Sequence, residues 1–223
     1  MKVTIGIPCY NQAEYLPEAV ESALNQTVEC EVIVVNDGST DNTQEVAERY
    51  PVKVINQVNK GLSSARNTVL MNMTGDYLLP LDADDIFLKT CAEKLLKKAE
   101  ETSADVVAPS MQNFGDSNET ITIMEDPQLA DFRTGNRIPY ASLVRRSVLQ
   151  EVGGYSPRMI HGYEDYHLWF NLLSPGKRII TIPDHLLLYR VKAKSMYKDA
   201  LEHHSELMEQ IFKDFPNVLP EEK

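Results

Sequence analysis

Three carboxylates crowd the end of the stretch Gly75-Asp-Tyr-Leu-Leu-Pro-Leu-Asp-Ala-Asp-Asp85. Its apolar part, Tyr77 to Leu81, predicts a short buried strand, which puts Asp82, Asp84 and Asp85 at that strand's carboxyl end. Carboxylates this close repel one another and need a partner that neutralises them. A hard divalent cation is the natural candidate. Mg2+ and Mn2+ take oxygen ligands, often one or two carboxylates, and leave positions open for substrate phosphates. An acidic turn with a helix cap would use the same residues, and Asp-x-Asp alone does not separate the two readings. A second acidic pair, Glu164-Asp165, opens a run in which Leu168, Trp169 and Leu172 recur at helical spacing. Acids at a helix start complement its dipole, a structural role that requires no chemistry.

The elements that must position these residues alternate strand and helix through the first hundred positions. Val3 to Pro8 reads as a buried strand that runs into the polar Cys9-Tyr10-Asn11. Ala13 to Asn25 follows as a helix with Leu16, Val20 and Leu24 on one face and Pro17 in its first turn. Glu31 to Val35 is a second strand. It ends in the turn-forming Asn36-Asp-Gly-Ser-Thr-Asp-Asn-Thr43, where Asn42 and Glu45 have the spacing of a helix cap. Val52 to Asn56 is a third strand. Lys60-Gly61 opens a helix from Leu62 to Met73, stopped by Gly75, and Leu88 to Glu101 is a helix with Leu88, Cys91, Leu95 and Ala99 on one face. This rhythm predicts an α/β fold with a mostly parallel central sheet and helices on both sides. Ligands of such sheets bind outside the carboxyl ends of the strands. Three polar loops fall there: Tyr10-Asn11, Asp37-Gly38-Ser39 and Asp82 to Asp85. No Gly-x-Gly-x-x-Gly follows the first strand and no Walker loop is present, which argues against a dinucleotide or ATPase site.

The 223 residues carry 22 Lys and Arg against 33 Asp and Glu, a formal net charge of −11. That excess argues against a general nucleic-acid binder and against docking on an anionic membrane by charge alone. A phosphate ligand stays compatible, because a local metal can reverse the sign of a site. Cys9, Cys30 and Cys91 are scattered without metal-ligand spacing. No signal peptide is evident and no apolar run is long enough to span a bilayer, so a cytoplasmic protein is expected.

Four segments together resemble the family 2 glycosyltransferases of the glycosyltransferase-A fold: Pro8-Cys-Tyr-Asn11, Val34-Val-Asn-Asp-Gly-Ser-Thr-Asp41, Asn59-Lys-Gly-Leu-Ser-Ser-Ala-Arg-Asn67 and Gly75 to Asp85. The resemblance implies a nucleotide-diphospho-sugar donor, Mn2+ or Mg2+ as cofactor, and inversion at the anomeric carbon. It assigns Pro8, Tyr10, Asn11, Asp37, Lys60, Arg66, Asp82 and Lys192 to the donor site. Tyr10 would lie against the nucleobase. Asp37 would accept a hydrogen bond from the base, which suits the N3–H of uracil or thymine and hence a UDP-sugar. Asp82 would approach the ribose or the sugar, and Asp84, with Asp82, would hold the metal. Plainer readings stand beside these: Asp37 as a turn residue, Tyr10 as a core-edge aromatic, Asn11 as a helix cap, Lys60 as a solvated charge. Arg66 is expected to hold a carboxylate in place by a bidentate pair, a positioning role. The family's acceptor-side acids match Glu164-Asp165. On that match Asp165 is the general base that takes a proton from the acceptor hydroxyl, and Glu164 holds the acceptor. The helix N-terminus is expected to keep Asp165 ionised, as a base must be.

The second half is less regular. Ala104 to Ser110 and Glu119 to Glu125 predict a hairpin across Gly115 to Asn118. Pro127 to Pro139 reads as a surface loop or a cover over the donor, and Ser142 to Ser147 runs into a short helix closed by Gly153-Gly154. Lys177 to Ile182 and Leu186 to Val191 predict two strands. From Met196 a helix would place Leu201, His204, Met208, Ile211 and Phe215 on one face. Trp169 is expected in the core, His161 and His167 in packing or acceptor contact. The family often carries a histidine shortly after a Tyr-Arg pair, at the metal or the diphosphate. Here Tyr189-Arg190 is followed by Val191-Lys192, and an ammonium cannot ligate a metal. One domain, residues 1–223, is expected, with 1–110 holding the donor and 111–223 the acceptor, a glycan, lipid-linked or protein hydroxyl. Three other readings use the same residues: a non-catalytic nucleotide-sugar or glycan binding protein, a scaffold acting through the C-terminal helix, and a sugar nucleotidylyltransferase. The last lacks the glycine-rich basic loop it would need.

Overall fold

Four short apolar runs make the parallel half of one sheet. They are β1 (Val3–Cys9), β2 (Cys30–Asp37), β3 (Lys53–Gln57) and β4 (Tyr77–Pro80), in the order β3-β2-β1-β4. Ile5 pairs with Val32 on one side and Leu79 on the other, so β1 is paired along both edges. β-branched residues dominate β1 and β2 and suit this pleated, doubly covered position. The computed structural model describes residues 1–216 apart from Ser174 and Lys194. The sheet continues past β4 through β8 (Leu143–Arg145), β6 (Val106–Gly115), β9 (Ile179–Val191) and β5 (Ile86–Phe87), with β7 (Thr120–Ile121) paired to β6. β6 and β9 run with the first four strands, whereas β8, β5 and β7 oppose them. A single sheet therefore crosses both expected halves, and β6 itself straddles position 110.

Helices cover both faces. On one, Leu16, Ala19 and Val20 of α1 (Leu16–Leu24) and Cys91, Leu95 and Ala99 of α4 (Cys91–Thr102) pack on Ile5, Ile7 and Leu79, near the short α2 (Thr43–Ala47). On the other, Val69 of α3 (Leu62–Asn72), Leu149 of α5 (Arg146–Glu151), Trp169 and Phe170 of α6 (Glu164–Leu173) and Ile211 of α8 (His204–Asp214) pack on Ile33, Val35 and Leu78. Trp169 is fully buried, as its helical spacing implies.

Several local expectations are corrected. Leu24 and Leu88 are exposed, and α1 buries Ala19 and Ala23 beside Leu16 and Val20. Asn42 stands at the N-cap position, but its side chain makes no capping bond; the Asp41 carboxylate accepts the Thr43 N–H at 3.0 Å and ties down the start of α2. Gly75 is not a helix stop. It lets the chain pass close to β1, where a Cβ would lie 2.6 Å from Thr4 Oγ1. The two strands expected across 177–191 are one, β9. Pro183 and Asp184 fall in a bulge, since Pro109 faces Ile182 and the next residue, Ser110, faces His185. Proline lacks the N–H that continuous pairing requires, so the ladder steps around it. β7 is only two residues long, although the hairpin with β6 forms as expected. The C-terminal helix breaks at His203 into α7 (Met196–Glu202) and α8. Leu201 and His204 are exposed, Ala200 and Leu207 turn inward instead, and Ile211 is buried as expected.

Candidate active site

The carboxyl ends of β1, β2 and β4 lie side by side, and their loops are bonded to one another. Asn11, at a left-handed φ of 52°, accepts from the Thr40 N–H at 2.7 Å through Oδ1, while its own N–H donates to Ser39 Oγ at 3.0 Å. It is a strap between two loops, not a helix cap. Asp41 reinforces the strap by accepting the Ala13 N–H at 3.0 Å. Asp37 is buried at the end of β2. Its carboxylate accepts from Gln57 Nε2 at 2.7 Å and from the N–H groups of Lys60 and Gly61, each at 2.9 Å, which pins the entry of α3 to β2. Gly38 beside it has φ +73°, and a Cβ there would meet Asn59 N at 2.6 Å. Tyr10 is half exposed on the loop, Lys60 is exposed, and Pro8 is buried near the end of β1.

Every carboxylate of the acidic stretch has a partner from the protein itself. Arg66, fully buried on α3, donates to Asp82 at 2.7 Å through Nη2 and to Glu164 through Nη1. Its Cζ lies 5.0 Å from the centroid of the Tyr140 ring and 5.4 Å from that of Tyr155. The expected bidentate pair is thus divided between two carboxylates, and Arg66 acts through them. Burial works against the guanidinium's charge, but Asp82 and Glu164 outweigh it and raise its pKa. Burial pushes Asp82 up to about 6; Arg66 opposes this, and Asp84 adds to it. Asp85 is an anchor: it accepts the Tyr140 hydroxyl at 2.6 Å and the Arg190 N–H at 2.7 Å. Burial, then Asp84 and Asp82, raise its carboxyl well above the usual range. Tyr140 also accepts the Asp82 N–H at 3.0 Å. Asp84 is paired with Lys192, Nζ to Oδ2 at 2.5 Å, just beyond the end of β9. Arg190 fixes the same loop by donating from Nε to the Asp84 carbonyl at 2.8 Å.

The acceptor-side acids open α6. Glu164 is buried on Arg66, whereas Asp165 accepts from Asn136 Nδ2 at 2.9 Å and from the Tyr166 N–H at 2.7 Å. The helix start does not hold Asp165 in the ordinary carboxylate range. Burial, and after it the Glu164 charge, push the carboxyl up to about 7 against the pull of Arg66 and the two donors. Tyr155 reaches Arg66 because Asn67 grips its backbone in both directions, each bond 2.8 Å. Sequence reasoning gave no site role to Tyr140, Tyr155, Asn136 or Arg190. Tyr155 follows a Gly-Gly pair and Arg190 closes the Tyr189-Arg190 pair, whereas Tyr140 and Asn136 sit in runs with no periodic or motif signal.

Residues 4–159 match the model of the family described as Glycosyl transferase family 2. The chain belongs to this family of enzymes. Glycosyltransferase GlyG of Streptococcus pneumoniae serotype 4 is 29% identical over 222 residues, covering 88% of this chain and 73% of GlyG. The uncharacterized glycosyltransferase EpsJ of Bacillus subtilis is 28% identical, covering 91% of this chain and 66% of EpsJ. Among solved structures, S. aureus TarS 1–349 in complex with UDP-GlcNAc superposes with a TM-score of 0.81 at 22% identity, over 95% of this chain and 65% of that one. The Pyrobaculum calidifontis mannosyltransferase PcManGT, in complex with GDP-Man and Mn2+, gives 0.70 at 20%, over 97% and 68%. The chain therefore spans about two thirds of the length of EpsJ and of TarS 1–349. The structural likeness bears out the glycosyltransferase-A fold.

A divalent metal does not fit the side chains as this family 2 chain holds them. Asp84, the expected ligand, carries an ammonium, and Asp82 is turned onto Arg66. Among the described residues no group of three or more His, Cys, Asp or Glu side chains is arranged to hold an ion.

Proposed function

We propose that the chain transfers a sugar, with inversion, from a nucleotide-diphospho-sugar to an acceptor hydroxyl, with Asp165 as general base. The Arg66 bridge carries this reading. One buried guanidinium joins Asp82, beside the donor loops, to Glu164, next to the base, so both half-sites share a rigid frame. In the reaction the acceptor oxygen attacks the anomeric carbon and its proton passes to the Asp165 carboxylate. The bond from the anomeric carbon to phosphate breaks, and its electron pair leaves with the nucleoside diphosphate. A carboxyl poised near 7 suits a base at neutral pH, because enough is ionised and its proton affinity is high.

A UDP-sugar is the first donor to try. TarS is solved with UDP-GlcNAc and with UDP. Among the described residues Asp37 Oδ2 accepts one hydrogen bond, from the Gly61 N–H, which leaves a lone pair for the N3–H of uracil. GDP-Man in PcManGT keeps guanine in the comparison. Its Mn2+ supports a metal-dependent form, which the Lys192–Asp84 pair opposes. Among the described residues no helix is long and apolar enough to cross a membrane. Action in the cytoplasm would keep Cys9, Cys30 and Cys91 as the free thiols they are.

The test is a thermal-shift panel of UDP, GDP, dTDP and CDP and their sugar conjugates, followed by turnover of the donor that binds. Asp165→Asn should abolish transfer and leave donor binding intact. Turnover that survives the substitution removes Asp165 as base, and a flat panel removes the transferase reading.

A further inference from the structure

Crowded carboxylates need a cation, and this chain supplies two of its own. Asp82 is met by Arg66 and Asp84 by Lys192, while Asp85 is held by the Tyr140 hydroxyl and the Arg190 N–H. The two carboxylates expected to hold a divalent ion, Asp82 and Asp84, are each already paired with a cation of the chain. Lys192 is also fixed in place. Its Nζ stands 4.6 Å from the centroid of the Tyr15 ring, an aromatic face that favours a cation, and its neighbour Arg190 stacks on the same ring at 4.8 Å. The ammonium is not sealed off, because the Lys192 side chain is 22% exposed and that of Asp84 16%. An ammonium has three N–H donors, and one on Asp84 leaves two for another anion.

We infer that Lys192, seated on Asp84, takes the place of the divalent metal in this chain and is the cation that meets the donor's diphosphate. This rests on the transferase reading above. A fixed ammonium is suited to the task, since preorganised positive charge stabilises a leaving group that gains negative charge. The chemistry balances as before. The nucleoside diphosphate departs as an anion with the electron pair of the broken bond, hydrogen-bonded to Lys192, and no metal ion takes part. Asp84 then positions Lys192 instead of ligating a metal.

The experiment is titration calorimetry of UDP, GDP, dTDP and CDP into the full chain, in EDTA and in Mn2+ or Mg2+. Wild type should bind one of them with the same affinity in both conditions. Lys192→Ala should weaken metal-free binding by about tenfold or more, as expected for loss of a hydrogen bond between charged groups. Lys192→Arg should retain it, and Lys192→His should bind better with Mn2+ than with EDTA. Unchanged Trp169 fluorescence and melting temperature would show that the variants are folded. Wild-type binding that requires Mn2+ or Mg2+ overturns the inference while leaving the transferase reading in place, as does a Lys192→Ala variant with undiminished affinity in EDTA. No binding of any nucleoside diphosphate in either condition overturns both.

Discussion

Replacing Arg66 with methionine would test whether the buried bridge sets both stability and charge in the site. The side chain is 1% exposed, Glu164 7% and Asp82 27%, so Glu164 bears most of the loss and the wetter Asp82 contributes less. Removing one partner of a buried pair costs about 3–5 kcal/mol, because the remaining charge stays desolvated. Protonation sets a ceiling. Glu164 need not remain charged, and binding a proton at pH 7.5 against an unfolded pKa of about 4.3 costs about 4 kcal/mol. At pH 5.5 the same ceiling is about 1.6 kcal/mol. Asp82, already pushed up to about 6, is largely protonated there and adds little. The sign follows from the direction of the shift. In the variant the buried Glu164 charge has lost its partner, and low pH relieves it by protonation, so stability relative to wild type is best at low pH and falls as pH rises. We expect a loss of about 3–4 kcal/mol at pH 7.5 and less than about 2 kcal/mol at pH 5.5. Urea unfolding at both pH values, followed by the fluorescence of Trp169, the chain's one tryptophan, measures it. Adding Glu164→Gln to Arg66→Met should recover about half of the loss at pH 7.5. A loss below about 1 kcal/mol, or an equal loss at both pH values, would refute the reasoning, the second by showing that packing and not charge is at stake.

Asn136→Ala removes a donor to the ionised form of Asp165, so the rising limb of kcat/KM against pH, expected near 7, should move up by about half a unit to one unit; an unmoved limb would show that this hydrogen bond does not tune the base. Gly153 and Gly154 both lie in the left-handed region, at φ +80° and +75°, but only at Gly154 would a Cβ collide, 2.4 Å from Asn67 Oδ1. Gly153→Ala should cost about 1–2 kcal/mol, and Gly154→Ala about 1–3 kcal/mol more as the Asn67–Tyr155 pair breaks; equal melting-temperature losses would show that Asn67 gives way freely.

The parallel half of the sheet was legible from the sequence, because β1, β2 and β4 are short apolar runs that stop at polar loops and buried strands leave that signature. So was the start of α6 at the acidic pair, and the placing of Trp169 in the core. The errors cluster where a local rule met a tertiary one. Asn42 had the spacing of a cap, but Asp41 was nearer the N–H groups once two loops were strapped together. Lys177 to Ile182 and Leu186 to Val191 read as two strands, and β9 runs through both because β6 supplies a continuous edge with a bulge. Residue types and their order determined that this chain carries two sets of carboxylates on a family 2 scaffold, since periodicity and motifs are properties of the chain itself. What neutralises those carboxylates was decided only by the tertiary structure. Arg66 is 98 positions from Glu164, and Lys192 is 108 from Asp84. Charge is balanced through space, in a low-dielectric interior where a pair at hydrogen-bonding distance outweighs any preference read along the sequence.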